Sequence, residues 1–340
     1  MRKLEYIAKR LLLAVLVLLG VSIITFILSR VVPSNPAALW VGSHPTQEQI
    51  AAARIHLGLD KPLYIQYLMY MSDLLRGDLG VSIRSHQPIL TELKTYLPAT
   101  LELVTMAMIM AVLVGIPLGV FSGAKKDSLL DHVSRLLAVA GVSIPTFWMA
   151  LLLQLFFFGR LGLLPLGGRV AREIMLFNPV QNITGFYVID SLVSGNWEAL
   201  RSTLVHIILP AFTLATYAIG LTIRMTRSTM IEVLEEGYIT AARAAGIPER
   251  TILFRLALKN AIVPTLTVLT LSFVYSLTGA IMVEIIFAWP GVGSYVTRAI
   301  LSLDFQVIMA VTLVVTVFYV FINLLLDIVQ TFLDPRVTLG

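Results

Sequence analysis

Six stretches of this chain contain no Asp, Glu, Lys or Arg: residues 11–29, 103–124, 136–159, 202–223, 260–283 and 305–326. Each is close to or longer than the ~20 residues that carry a helix across a bilayer at 1.5 Å rise per residue. Backbone N–H and C=O groups find no water in hydrocarbon, so such runs must satisfy them internally, as helices. Composition agrees. Only 13% of the 340 residues are charged, against roughly 25% in soluble domains, and mean hydropathy is +0.87. The expected fold is therefore an all-α integral membrane protein with six transmembrane helices. The run at 11–29 follows a basic flank, as a signal peptide does, but no small-residue cleavage site comes after it. It is read as a retained first span.

Charge sets the expected orientation. The formal net charge of +5 would suggest nucleic acid in a soluble protein. Here it reads as Lys and Arg held at the cytoplasmic face, and no nucleic-acid partner is expected. Arg2, Lys3, Lys9 and Arg10 place the N-terminus inside. Lys125, Lys126 and Arg135 then fall in the next cytoplasmic segment, and Arg224, Arg227, Arg243, Arg250, Arg255 and Lys259 in the one after. Six spans return the C-terminus to the cytoplasm. The chain divides into a first span (1–32), an extracytoplasmic helical segment (33–97), a five-span core (98–334) containing a cytoplasmic loop (228–259), and a C-terminal tail (335–340).

The segment after the first span reads as a folded external cap. Thr46 and Gln49 have capping-box spacing, and Gly58 is suited to stop the helix that follows. Pro62 can open a second helix at its first position, amphipathic through Tyr64, Tyr67, Leu68, Met71, Leu74 and Leu75 and closed by Gly77. The second long external segment, 160–201, reads as turn material around "LLPLGG" and "FNPVQN".

The stretch 235–260, "EEGYITAARAAGIPERTILFRLALKN", is the charged exception between two apolar runs. Gly246 suits a left-handed position at a helix end, and Pro248 can start the next helix with Glu249 near its positive terminus. The result is helix–turn–helix, with alanines and a glycine at a tip framed by Arg243, Glu249 and Arg250. Small side chains allow another backbone to approach closely, as a peg entering a groove requires. An ordinary loop between two spans is the plain alternative.

Here the residues carry a resemblance. "ITAARAAGIPERTILFRLALKNAIVP" resembles the EAA loop of bacterial and archaeal ABC-importer permeases. "LGLDKPLYIQY", "GDLGVS", "PATLEL", "VEIIFAWPGVG" and the terminal "DPR" are similar to patterns of the dipeptide/oligopeptide permease family, in the expected order over nearly the whole chain. Two positions depart: the acid that names the EAA motif aligns with Thr240, and Leu258 is followed by Lys259 rather than Pro. No role for an acidic side chain at Thr240 is expected.

The resemblance implies a coupling helix between the fourth and fifth spans, with Thr240, Ala241, Ala242, Arg243, Ala245, Gly246, Ile247, Pro248, Glu249 and Arg250 meeting an ATPase. It implies a homologous second permease subunit, two cytoplasmic ABC ATPases, an extracytoplasmic substrate-binding protein and a lipid environment, in the cell membrane of a bacterium or archaeon. ATP and Mg would sit on the ATPases, with no cofactor on this subunit. Substrates of the family include peptides, oligosaccharides and nickel.

Other chemistry finds little support. The five histidines show no HxxxH or HExxH spacing, so no metal site is expected, and neither GxSxG nor GxxxxGK[ST] occurs. His206, inside a span, is expected to bond to a neighbouring helix. Glu102, Glu284, Asp304 and Asp327 lie at run boundaries, where solvation would make them interfacial anchors. Trp289-Pro290-Gly291-Val292-Gly293 reads as a tight external turn, and Glu284, Trp289, Pro290, Gly291 and Gly293 are candidates for an outer gate or pathway. The alternative classes are an ion-coupled secondary transporter, which would place charge or broken helices near mid-membrane, and a membrane enzyme.

Overall fold

The computed structural model describes residues 2–31, 35–42 and 44–333, with side chains described over 10–30, 35–42 and 44–324. The "DPR" motif and the tail at 335–340 lie outside the described residues, as does the side chain of Asp327. Helices follow one another: α1 (Arg2–Val31), α2 (Pro36–Val41), α3 (Gln47–His56), α4 (Leu63–Leu75), α5 (Ile89–Ala124), α6 (Leu129–Ser143), α7 (Thr146–Arg160), α8 (Arg172–Phe177), α9 (Tyr187–Val193), α10 (Trp197–Leu234), α11 (Gly237–Ala244), α12 (Glu249–Ile286), α13 (Val292–Leu301) and α14 (Phe305–Leu333). Among the described residues the one β-type pairing is an isolated bridge between Val81 and Pro88.

Helices α1, α5, α10, α12 and α14 are long and apolar enough to cross a membrane, and α6 with α7 makes a sixth if the bent pair counts as one span. That pair turns through 111° at Ile144-Pro145. Proline has no N–H and disfavours the α conformation at the residue before it, and Ile144 accordingly takes φ −79, ψ 124. The run 136–159, expected as one transmembrane helix, is therefore broken into two. At Pro117 the lost hydrogen bond is absorbed differently, by a π-helical stretch over Ala111–Gly115.

The chain forms two compact units, one from the residues up to Leu97 with Ser294–Ile328, the other built on Pro98–Gly293. In the first, α3 opens on the expected capping box: Gln49 N donates to Thr46 Oγ1 at 3.3 Å and Thr46 N to Gln49 Oε1 at 3.0 Å. Gly58 (φ +64) and Gly77 (φ +79) end α3 and α4. At each the two backbone bonds of a Schellman turn are made, Leu59 N to Arg54 O and Asp78 N to Asp73 O closing the outer ring at 2.9 Å. Helix α4 rests on α1 through the Ser22–Tyr67 hydroxyl pair at 2.9 Å and the rings of Phe26, Tyr67 and Tyr70. Pro62 is the residue before α4 rather than its first.

The second unit is organised around α10, whose 38 residues extend about 57 Å at 1.5 Å per residue. It packs on α5, α6 and α12. Gly115, Gly119 and Gly123 form a stripe at every fourth residue of α5, and a Cβ on any of them would lie 2.5–2.8 Å from Thr222, Thr226 or Met230 of α10. Gly220 and Gly141 do the same for α10 and α6, the former facing Ala138 O at 2.6 Å and the latter Thr216 O at 2.5 Å. Lipid chains are as apolar as leucine, so helices in a membrane associate through this kind of close approach rather than through hydrophobic burial. The segment 160–201 contains α8 and α9, which its turn composition did not suggest. Helices this short are not stable alone. Here Ile174 and Ala199 pack beside Val170, and the Asp190 carboxylate accepts from Thr184 N and Gly185 N at 2.8 and 2.9 Å. Burial pushes that carboxyl up, but these hydrogen bonds outweigh it and hold Asp190 below the usual carboxylate range.

Candidate functional site

The loop between α10 and α12 is a short helix braced from inside and open outside. Glu236, extended at φ −67, ψ 145, turns the chain out of α10 and into α11. Ile239 and Ala242, three residues apart and so on one face, are buried together. Their cluster includes Met230 of α10, Ile252, Leu253 and Ala257 of α12, and Val120 of α5. Asn260 donates to the Tyr238 hydroxyl at 2.8 Å, tying the two helices again.

The far face carries Thr240, Ala241 and Arg243, and the turn 245–250 is exposed throughout. Gly246 has φ +75. Its N–H donates to Arg243 O at 3.0 Å, and Ile247 N donates to Ala242 O at 3.1 Å, which completes a Schellman turn. Pro248 precedes α12 at φ −58, ψ 137, one residue outside the helix it was expected to begin. Arg243 and Glu249 pair across the tip at 3.0 Å, and the hydrogen bond from Arg243 to Glu249 raises the guanidinium above its ordinary value. Ala242 is the exception to the expected tip: its spacing from Ile239 turns it inward, and the surface left for a partner is Thr240, Ala241, Arg243 and 245–250.

The turn after α12 is a packed joint. Trp289 is fully buried, and its indole N–H donates to Ala99 O at 2.9 Å. Glu284 is fully buried too and accepts from Thr100 Oγ1 at 2.5 Å, while the same hydroxyl oxygen accepts from Val292 N at 2.8 Å. Gly291 must be glycine because a Cβ would overlap the Glu284 carboxylate. At Gly293 it would stand 2.6 Å from the Cα of Ile281. Ala288 occupies a left-handed position (φ +47) where α12 ends, a conformation that costs a non-glycine residue about 1 kcal/mol. Of the five gate candidates Pro290 alone is half-buried; Glu284, Trp289, Gly291 and Gly293 face the interior.

Beside this joint lies a buried ion pair. Arg169 donates to Glu102 Oε2 from Nε at 3.0 Å and from Nη2 at 2.5 Å, and Nη2 also reaches Gly185 O at 2.6 Å. Val188 N donates to Glu102 Oε1 at 2.7 Å, and the guanidinium stands 3.7 Å over the Tyr187 ring. Asp304, in the first unit, is likewise buried and accepts from Ser82 Oγ at 2.7 Å and from Val307 N at 3.3 Å, capping α14. The expectation that Glu102, Glu284 and Asp304 are solvated anchors is therefore corrected. Each sits at the edge of an apolar run, but connecting segments fold back over it. His206 is corrected as well: its Nδ1 lies 2.7 Å from Ser202 O, one turn back in its own helix. Thr100 and Arg169 had not been singled out. The available signal was Arg169 directly after Gly167-Gly168 in a turn-rich segment, with Glu102 at a run boundary. No three His, Asp or Glu side chains gather as a metal site among the described residues.

This architecture, a glycine-packed bundle with a braced helical loop before its fifth long apolar run, can be set beside known proteins. Residues 115–339 match the family described as binding-protein-dependent transport system inner membrane component, and residues 3–104 match its N-terminal part. The chain belongs to this family. Its similarity to individual permeases extends end to end. It is 44% identical over 326 residues to the probable D,D-dipeptide transport system permease protein DdpB of Escherichia coli, covering 96% of this chain and 95% of that one. It is 41% identical over 334 residues to the dipeptide transport system permease protein DppB of Alkalihalophilus pseudofirmus, with 98% and 99% covered. With the di/tripeptide transport system permease protein DppB of Pseudomonas aeruginosa it shares 38% over 335 residues, 98% of each chain. The family is one of multi-pass permeases, consistent with the long apolar helices here.

Proposed function

We propose that this permease is one of two homologous membrane subunits of an ATP-driven importer of peptides, and that α11 with the turn 245–250 is where a cytoplasmic ATPase pair grips it. The observation that carries the reading is the bracing of α11. Its inner face is packed on α5, α10 and α12 at once, so a displacement of the tip is delivered to three long helices together. ATP does not bind here. ATP and Mg sit on the two ATPases, and an extracytoplasmic binding protein delivers the substrate. The ATP-bound pair drives the bundle between inward- and outward-facing states only by the difference in its affinity for them, and that difference is placed at the tip. The joint of Glu284, Trp289, Pro290, Gly291 and Gly293 is read as an outer closure that is shut in this conformation. A peptide substrate follows from the relatives, all three of which are named for dipeptide or di/tripeptide transport.

The test is uptake of labelled dipeptide into vesicles holding the complete transporter and its binding protein. Uptake should require enclosed ATP and be competed by unlabelled dipeptides rather than oligosaccharide or nickel. Uptake driven by a proton or sodium gradient without ATP would instead establish the secondary-transporter reading.

The proposed orientation puts both termini and α11 in the cytoplasm, with α3, α4 and the segment 160–201 outside. The chain has no native cysteine, so single cysteines report cleanly. One at Glu249 or Ser128 should react with an impermeant maleimide only after the membrane is opened, and one at Asn182 in intact cells. Labelling of the Glu249 position in intact cells would reverse the arrangement.

A further inference from the structure

Between α6 and α10 lies a cavity of about 440 Å³. Arg135, Arg224 and Arg227 line one end of it, and Ala138, Val142 and Ile223 continue its wall. The three arginines are not equivalent. Arg227 is committed: Nε and Nη2 donate to the fully buried Asp131 carboxylate at 2.6 and 2.9 Å. Ser122 Oγ and Asp127 N fill that carboxylate's remaining positions at 2.5 and 3.0 Å. Asp131 thus neutralises Arg227 and has little left to offer the other two. Arg135 comes no nearer to it than 3.8 Å and otherwise meets His132 Nδ1. Arg224 has no hydrogen bond or ion pair among the described residues.

Two guanidinium groups therefore share one cavity with no anion between them. Arg135 and Arg224 lie just outside the apolar runs 136–159 and 202–223, where the bundle meets its polar edge, and both are exposed enough to receive an anion. Beside them the outer surface of α6 is greasy, with Leu136 70% and Val139 63% exposed. An anionic ligand at this place must have a head that accepts several N–H groups and a body at home against apolar side chains. Guanidinium groups match phosphate geometry through paired hydrogen bonds. Basic pockets between membrane helices are where lipid headgroups lodge.

We infer that Arg135 and Arg224 form a binding site for the phosphate of an anionic phospholipid held between α6 and α10, with Arg227 fixed behind it by Asp131. The lipid supplies the missing counter-charge, so its retention should be selective for a net negative headgroup. This does not depend on which solute is transported or which way.

The experiment is native mass spectrometry of the assembled transporter in detergent, titrated with phosphatidylglycerol or phosphatidylcholine. Wild type should retain one tightly held phosphatidylglycerol and no matching phosphatidylcholine. Arg224→Gln and Arg135→Gln should each weaken that retention about tenfold, on the order of one charge-assisted hydrogen bond. Arg224→Lys, which keeps the charge, should keep most of it and guards against loss through misassembly. Equal retention of the two lipids, or unchanged retention in both Gln variants, overturns the inference. So does displacement of phosphatidylglycerol by a free dipeptide but not by its C-terminal amide, which would assign the arginines to a solute carboxylate.

Discussion

Arg169→Met should be among the most destabilising single substitutions in this permease. It leaves the Glu102 carboxylate, which is 5% exposed, with Val188 N as its remaining donor among the contacts described above, and it strips Gly185 O of its partner. Breaking one half of a buried ion pair costs about 3–5 kcal/mol, because the survivor keeps its desolvation penalty without its counter-charge. The surface area of the pair is beside the point; what matters is the unpaired charge. Adding Glu102→Gln to Arg169→Met should therefore recover part of the loss, since a neutral amide is far cheaper to bury than a carboxylate. The measurement is the thermal midpoint of the detergent-solubilised complex by fluorescence size-exclusion. The order expected is wild type, then the double variant, then Arg169→Met. A single variant as stable as wild type would mean that water reaches Glu102 and that the pair does not hold α5 to the segment 161–190.

The parts of this fold that were legible in the sequence are those governed by neighbours in the chain. Gly58, Gly77 and Gly246 were each expected to end a helix, and all three have positive φ with Schellman hydrogen bonds. The capping box at Thr46 behaves the same way, because its partners are three residues apart. Five of the six apolar runs became continuous helix, and 136–159 became two helices broken at Ile144-Pro145. What was not legible depends on distant partners. Glu102 meets Arg169 across 67 residues and Trp289 meets Ala99 across 190, so nothing local announced that these boundary residues are interior. Ala242 lies between the two cases. Its burial follows from its spacing to Ile239, but only once α10 and α12 are known to flank that face. The stripe at Gly115, Gly119 and Gly123 was readable as a close-packing signal in an apolar run; what it packs against was not. Pro145 stands where the run 136–159 breaks, and a proline by itself does not say whether a helix will kink or end there.

Gly246→Val should abolish transport while leaving the permease inserted, and the reason can be separated into strain and obstruction. A Cβ at Gly246 would meet no atom of the described residues within 4 Å apart from its own chain neighbours, so a clash there must come from a partner. Strain alone, a non-glycine residue at φ +75, costs roughly 1 kcal/mol and more for a β-branched side chain. Obstruction is the larger effect if the tip enters a groove on an ATPase: a loss of ~3 kcal/mol in docking is more than a hundredfold in affinity. Gly246→Asn tells the two apart, since asparagine tolerates the left-handed conformation yet still adds a side chain. Ala242 is a poor probe for the same purpose, because its burial against Ile252 and Met230 means that bulk there distorts the loop itself. The expected result is that both Gly246 variants express and insert normally, co-purify poorly with the ATPases, and lose substrate-stimulated ATP hydrolysis. If Gly246→Asn is silent while Gly246→Val fails, backbone strain is the whole effect and the tip enters no groove. If both variants co-purify and transport normally, α11 does not couple this permease to ATP, and the contact must be sought at another exposed end of the bundle.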